Sequence, residues 1–321
     1  MVFAHADTIA MIDTAYICAA GRSGSTLLDT LIGAHPDAVS VGELLHLPKN
    51  LALNTVCACG KAVAECDFWT RVIDRLNQEL GTDLLRRPYA LDLGFITAST
   101  VIDHGKQTRA YLLQRLLTLA MVDAEHRISF RAFGPLTRRF YDSVDQTLRV
   151  HEVIRQVSGA RLVVNSSKAY RYGVAMHQRA PESVRLLLLT RDGRGVFHSR
   201  IKSGMSREKS LKAWKTYYRR ALPLLDRSVE AAHVLQVRYE DLTRDPRREL
   251  ARVCDFLGLT FSDAMLDFRA RPSHILNGNA MRRSPVAEIR PDERWKMELR
   301  PDDAAFFAKN GQALNLRLGY E

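Results

Sequence analysis

Four short runs of almost unbroken apolar residues punctuate the chain: "AYICAA" at 15–20, "ARLVVN" at 160–165, "VRLLLLT" at 184–190 and "HVLQVRY" at 233–239. A strand with one wet face alternates apolar and polar residues. A strand buried on both faces does not, and such strands belong to parallel sheets covered by helices on each side. Helical patterns separate the runs. Between 208 and 230, Leu211, Trp214, Tyr218, Leu222, Leu225 and Val229 recur every three or four residues, with Arg and Lys between them, which is the stripe of an amphipathic helix. Pro223 is expected to kink or restart that helix. In "DPRRELARVCDFLGL", Asp245 is a natural N-cap, Pro246 fits the first helical position and Gly258 fits the C-terminal cap. Strands alternating with helices predict an α/β fold, a doubly wound and mainly parallel sheet flanked by helices. No linker rich in Pro or Gly divides residues 1–321, so a single domain is expected, with a mostly helical insertion at about 50–158.

A hydrophobic content of 46% and a charged content of 26% are those of a soluble globular protein. The formal net charge of +11 favours anionic partners without choosing among them. The arginines are dispersed and no nucleic-acid-binding signature is present, so a nucleic-acid or acidic-polymer binder ranks last. The apolar segment "YLLQRLLTLAMV" at 111–122 is interrupted by Gln114 and Arg115 and is too short to span a bilayer. The N-terminus lacks a basic region followed by a long apolar run. A cytoplasmic location without a transmembrane segment is the expectation.

Of five cysteines, Cys18 falls in a strand pattern and Cys254 in an amphipathic helix, both read as inert core residues. Cys57, Cys59 and Cys66 cluster in "CACGKAVAEC". Three soft ligands suggest zinc, but a structural site wants four, and only His46 and Asp67 stand near as a fourth. A local disulfide or three reduced thiols is therefore expected, and no metal.

The first apolar run leads into "GRSGSTLLDTLI". Gly21, Ser23, Gly24, Ser25 and Thr26 are small enough for backbone N–H groups to point inward, and the following helix adds its positive N-terminal end. Hydroxyls and Arg22 supply further donors. This is an anion loop, yet it is shorter than G-x-x-x-x-G-K-[ST], and no lysine precedes the hydroxyls. Nor does "RLLLLTRD" offer a clean magnesium aspartate after its apolar run; it offers Arg191. The pattern points away from a P-loop kinase and toward an anion gripped by fixed cations and dipoles.

Taken with three further segments, "GRSGSTLL" resembles the phosphosulfate loop of sulfotransferases that use 3′-phosphoadenosine 5′-phosphosulfate (PAPS). "RDGRGVFHS" is similar to that family's 3′-phosphate segment, with Arg191 leaving a strand and Ser199 eight positions on. "VRYEDLTRDPRRELARVCDFLGL" resembles a stretch after the family's late strand, and "HILNGNAMRR" at 274–283 resembles the bacterial form of its cofactor-covering loop. "CACGKAVAECDFW" and "NSSKAYRYG" also look like segments of bacterial members. The matches run in order over nearly the whole chain. They imply the P-loop-like sulfotransferase fold, PAPS as donor with product PAP, no metal, and an acceptor of unassigned class: small molecule, sugar, lipid or peptide.

The resemblance also implies roles. Arg22, Ser23, Gly24, Ser25, Thr26 and Leu27 would hold the 5′-phosphosulfate, with Arg22 against the group transferred. Arg191 and Ser199 would grasp the 3′-phosphate, and Asn279 and Arg282 would close over the nucleotide. Lys168, at the carboxyl edge of the sheet where α/β proteins bind ligands, would neutralise the bridging oxygen. Glu43 stands 21 positions beyond Arg22, after the His35–Pro36 turn, where several relatives place a catalytic carboxylate; it is the expected general base, with His46 as the backup. Arg194, Lys202 and Arg283 read as surface charge, and "DERWKMEL" at 292–299 as a terminal helix packing Trp295 on the core without chemistry.

Overall fold

The computed structural model describes residues 11–93, 117, 118, 120–124, 134–284 and 288–321. Five strands, β1 (Thr14–Ala19), β2 (Ala38–Gly42), β3 (Leu162–Lys168), β4 (Val184–Thr190) and β5 (Val234–Arg238), form one sheet in the order β2-β3-β1-β4-β5. Every pairing is parallel. The principal helices are α1 (Ser25–Gly33), α2 (Asp67–Leu80), α3 (Gly134–Ser158), α4 (Tyr170–Arg179), α5 (Gly193–Lys202), α6 (Arg207–Ser228), α7 (Pro246–Phe256) and α8 (Pro301–Arg317). This is the doubly wound α/β architecture that the alternation of strands and helices predicts.

The unbroken apolar runs have a direct cause. Alternate residues of a strand face opposite sides of the sheet, and here both sides are dry. Ala15, Ile17 and Ala19 of β1 and Leu187 and Leu189 of β4 pack with Leu28 and Leu31 of α1 and with Leu250 and Val253 of α7. Tyr16 and Cys18, with Leu186 and Leu188, pack against Trp69, Val144, Ile154 and Tyr218 on the other side. Cys18 and Cys254 lie in these layers as expected, and burial pushes their thiols up to about 12 and about 11. Truncating a side chain such as Leu187, which is wholly buried, to Ala costs about 2–5 kcal/mol.

Several local expectations shift. Strand β2 was not legible, because "AVSVG" is only five residues long and runs straight into Leu44 and Leu45. Helix α6 continues through Pro223 rather than restarting; Ala221, Leu224 and Leu225 are buried on either side of it and hold the turn in place. Asp245 caps α7 as expected, its carboxylate accepting from the Arg248 amide at 3.1 Å, and Gly258 follows in the left-handed region. Within 50–158, α2, α3 and residues 117, 118 and 120–124 are helical, while the first half of the helix expected at 111–122 lies outside the described residues. Among the described residues, no helix is long and apolar enough to cross a membrane.

The chain leaves β1 toward β3 and β2 on one side, and later toward β4 and β5 on the other. That reversal opens a crevice beyond the carboxyl end of β1, where open α/β sheets bind ligands.

Candidate active site

Each of the five strands delivers one chemically distinctive residue to the same rim. Arg22 follows β1, Glu43 follows β2, Lys168 is the last residue of β3, Arg191 follows β4 and Tyr239 follows β5. All five line one cleft of about 420 Å³, together with Gly24, Ser25, Thr26, Leu27, Ser199, Asn279, Asp292 and Arg294.

The loop after β1 is shaped to approach a ligand with its backbone. Gly24 has φ 94°, and a Cβ placed there would lie 2.4 Å from the Tyr239 ring, so only glycine fits. Helix α1 begins at Ser25 with no side-chain cap, and the amides of Gly24, Ser25 and Thr26 have no protein acceptor among the described residues. These N–H groups sit at the positive end of the helix, a fitting cradle for a phosphate-like anion. Arg22, also at positive φ (75°), donates from Nε to Ser199 Oγ at 2.9 Å. Arg200, the next residue of α5, holds the Gly21 carbonyl at 3.1 Å.

Of the loop residues expected at the anion, Ser23 departs and Thr26 has a second role. Ser23 faces the core, not the cleft: its amide donates to Ala20 O at 3.2 Å and its hydroxyl meets the Tyr218 hydroxyl at 3.3 Å, fully buried. It stiffens the loop from behind. The Thr26 hydroxyl accepts from the Asn279 amide at 3.0 Å and so ties the later strap, residues 274–284, to α1. Gly278 makes this approach possible, since a Cβ there would lie 2.8 Å from Thr26 Oγ1.

Glu43 stands at the centre of a charged cluster. Its amide donates to Leu276 O at 3.1 Å. Its carboxylate is hydrogen-bonded and ion-paired to the Lys168 ammonium, and its other oxygen lies 3.5 Å from His46 Nε2. Burial lowers the His46 pKa below its ordinary value, although Glu43 pulls the other way, so the imidazole is uncharged at neutral pH. The segment is pinned from beneath. The Leu45 amide donates to Ser167 Oγ at 3.1 Å, and Ser167 donates to Asn165 Oδ1 at 2.6 Å. Asn165 Nδ2 then meets His151 Nε2 at 3.1 Å. Both ends of the Asn165 amide are thereby assigned, and His151 must accept at Nε2.

Arg191 forms the second centre. It is 6% exposed, lies over the Tyr239 ring at 4.4 Å, and donates to Asp292 through its carboxylate at 3.1 Å and its carbonyl at 2.9 Å. A 2.7 Å hydrogen bond from Arg294 and the charge of Arg191 together hold the Asp292 carboxyl well below the usual carboxylate range. Asp292 and Arg294 were missed, because "DERWKMEL" read as a core-packing helix. In fact only Trp295–Glu298 is helical there, and half-buried Trp295 stacks under the Arg194 guanidinium at 4.4 Å. Arg282 departs from expectation too: it donates to Gly278 O and Val56 O, each at 3.3 Å, and does not line the cleft. Its position in the turn Ala280–Arg283, capped by the Asn279 side chain, points it back along the strap. His46 reaches the cleft only through Glu43.

The cysteine cluster takes the second of its two expected states, reduced thiols. No disulfide links the five cysteines. Neither expected fourth ligand is present, since His46 is at Glu43 and Asp67 pairs with Lys61 at 2.9 Å. His274 stands there instead, its Nδ1 3.3 Å from Cys66 Sγ.

A sequence model described as the Sulfotransferase family matches residues 99–263, just over half of the chain. The chain belongs to the sulfotransferase family. In this sulfotransferase family member the matched part carries Lys168, Arg191 and Ser199, while the anion loop, Glu43 and the strap lie outside it. Sulfuryl transfer by an enzyme is the activity the family describes. Solved structures similar to it include the sulfotransferase domain of the Synechococcus PCC 7002 olefin synthase, at 23% identity and TM-score 0.47, covering 93% of this chain and 94% of that one. A sulfotransferase domain from the curacin biosynthetic pathway is similar at 18% identity and TM-score 0.48, with 97% and 99% covered. A mouse sulfotransferase, SULT7A1, complexed with PAP is similar at 9% identity and TM-score 0.45, with 97% and 90% covered.

Proposed function

We propose that the chain, acting as one unit over residues 1–321 with the 50–158 stretch on the acceptor side, moves the sulfuryl group of PAPS to a hydroxyl or amine by in-line attack. The observation that carries this reading is the Glu43–Lys168 pair on the rim of the cleft that the anion loop opens into. PAPS, when bound, supplies the sulfuryl group and departs as PAP. The amides of Gly24, Ser25 and Thr26 and the Arg22 guanidinium would hold its 5′-phosphosulfate end. Arg191 and Ser199 would hold its 3′-phosphate, and Asn279 would bring the strap over the nucleotide.

Glu43 takes the acceptor's proton as the nucleophilic oxygen engages, which a poor nucleophile requires. Protonation removes the charge that holds Lys168, so the ammonium is released toward the negative charge growing on the leaving oxygen. Arg22 and the loop amides oppose charge on the transferring group, and because they are fixed beforehand they need no reorganisation. A nucleotide kinase fits less well. Glu43 and Asp292 are the carboxylates among the lining residues, and each is already paired to cations, leaving none open for magnesium.

The test is turnover of labelled PAPS with an acceptor library, repeated with Glu43→Gln. Transfer by the parent protein and its loss in the variant support the proposal. Calorimetry showing uptake of ATP with magnesium but not of PAP sinks it.

A further inference from the structure

We infer that Cys57, Cys59, Cys66 and His274 bind a structural zinc ion, which locks the strap beginning at His274 to the body of the protein. The ligand atoms come from the turn at 57–66 and from a residue 208 positions later, yet all four lie within 4.8 Å of one another. Cys59 Sγ is 3.5 Å from Cys66 Sγ, Cys66 Sγ is 3.8 Å from Cys57 Sγ, and Cys66 Sγ is 3.3 Å from His274 Nδ1. A tetrahedral zinc with Zn–S of about 2.3 Å and Zn–N of about 2.0 Å needs ligand-to-ligand edges of roughly 3.5–3.8 Å. The three edges that run from Cys66 stand at about these lengths, and the other three are no longer than 4.8 Å, so the four donors converge closely enough to enclose one such ion. A disulfide would engage two of them and leave the convergence of the third thiol and the imidazole without a purpose.

The donor set selects the metal class. Three thiolates and one imidazole are soft ligands that suit zinc over magnesium, calcium or manganese. Four protein ligands complete the coordination shell and leave no position for substrate, which makes the site structural and not catalytic. Its support is built as well. The His274 ring stacks on Phe68 at 4.9 Å with an interplanar angle of 15°, and the His274 carbonyl accepts from Trp69 Nε1 at 2.8 Å. The turn is held by Cys57 N to Lys61 O at 2.9 Å. Cys57 and Cys66 are fully buried, while Cys59 is the exposed corner. Binding of the divalent ion displaces the thiol protons to solvent and leaves a cluster of net charge −1, with the cationic side chains of Lys61, Arg71 and Arg282 within Coulombic reach of its ligands and the anionic Asp67 opposing them.

The consequence lies next along the chain. Ile275 O accepts from the Ala58 amide at 3.1 Å, and Leu276 bonds to Val41 and Glu43 of the β2 edge. Gly278 and Asn279 follow at the cleft. The ion thus clamps the start of the strap to the turn and to α2, four residues before the strap reaches the cleft. The zinc inference does not rest on the sulfotransferase chemistry and stands or falls by metal content alone.

The test measures zinc in the purified full chain by elemental analysis, beside Cys59→Ser, His274→Asn and Cys254→Ser, with far-UV circular dichroism reporting that each is folded. About one zinc per chain in the parent and in Cys254→Ser, falling to background in the folded ligand variants, is expected. Cobalt(II) exchanged into the parent should give the intense visible bands of a tetrahedral thiolate site, which a mere unfolding of the variants could not mimic. No zinc in the parent, iron in its place, a mass two hydrogens lighter from a Cys59–Cys66 disulfide, or full zinc retained in both ligand variants overturns the proposal.

Discussion

Arg22 donates from Nε to Ser199 Oγ at 2.9 Å, joining the anion loop to helix α5 across 177 positions of sequence. In the proposed reading Ser199 serves the 3′-phosphate while Arg22 serves the phosphosulfate. Ser199→Ala is then expected to weaken PAP about tenfold, the loss of one charge-assisted hydrogen bond, with little effect on adenosine 5′-phosphosulfate, which lacks the 3′-phosphate. Calorimetry with both ligands decides it. Equal losses would mean that Ser199 acts only by positioning Arg22.

Asp292 competes for Arg191. Asp292→Asn removes the carboxylate charge that pairs two guanidinium groups and leaves the bond from Arg191 to the main-chain carbonyl, so PAP is expected to bind several-fold more tightly at low ionic strength, with the gain shrinking as salt rises. Arg191→Ala should cost roughly 10- to 100-fold in PAP affinity, the range for a hydrogen bond to a charged group. Weaker binding by Asp292→Asn would show that the carboxylate orients Arg191 and does not oppose the ligand.

Glu43 and His46 are separable by substitution. Loss of the base in Glu43→Gln is expected to lower kcat by about 10²–10⁴-fold. His46 does not line the cleft and reaches it only through Glu43, so His46→Asn should retain turnover to within about tenfold. If His46→Asn proves as inactive as Glu43→Gln in single-turnover assays, the histidine is the base.

Two buried groups set opposite limbs of the stability–pH curve. Burial lowers His151 from 6.5 to about 3. The unfolded chain therefore binds more protons between those values, and stability present above pH 6.5 is lost as pH falls toward 3. Burial raises Asp29 from 3.8 to about 7, although Ser166 donates to it at 2.9 Å. Here the folded chain holds the extra proton, so stability falls as pH rises from 3.8 through 7. Asp29→Asn is expected to gain up to about 4 kcal/mol at pH 8 and little near pH 4, while His151→Gln flattens the acid limb. Denaturant melts at pH 4, 6 and 8 read both; a midpoint for Asp29→Asn below that of the parent at pH 8 contradicts the first.

The legible part of the sequence was the part governed by local rules. Apolar runs buried on both faces announce parallel strands wherever they occur, and the small residues of "GRSGST" announce a loop whose backbone meets a ligand. The same rules could not say which way Ser23 turns, because its direction depends on Tyr218, which is 195 positions away. They missed β2, whose five residues owe their strand state to pairing with β3. Asp292 and Arg294 sit in a segment that reads as a helix packing Trp295 on the core, and they reach the cleft only because the chain comes back past Arg191. His274 was overlooked for the same reason: the fourth donor to a cysteine cluster is found by topology, not by spacing.

Gly24, Tyr239 and Arg191 form a stack in which each member fixes the next. The glycine leaves room for the ring, and the ring carries the guanidinium on its face. Arg191 also donates to the Arg22 carbonyl at 3.3 Å, so the anion loop and this arginine are geared together. A side chain introduced at position 24 will displace the ring and with it the arginine, so any enlargement of this loop demands a paired change at position 239.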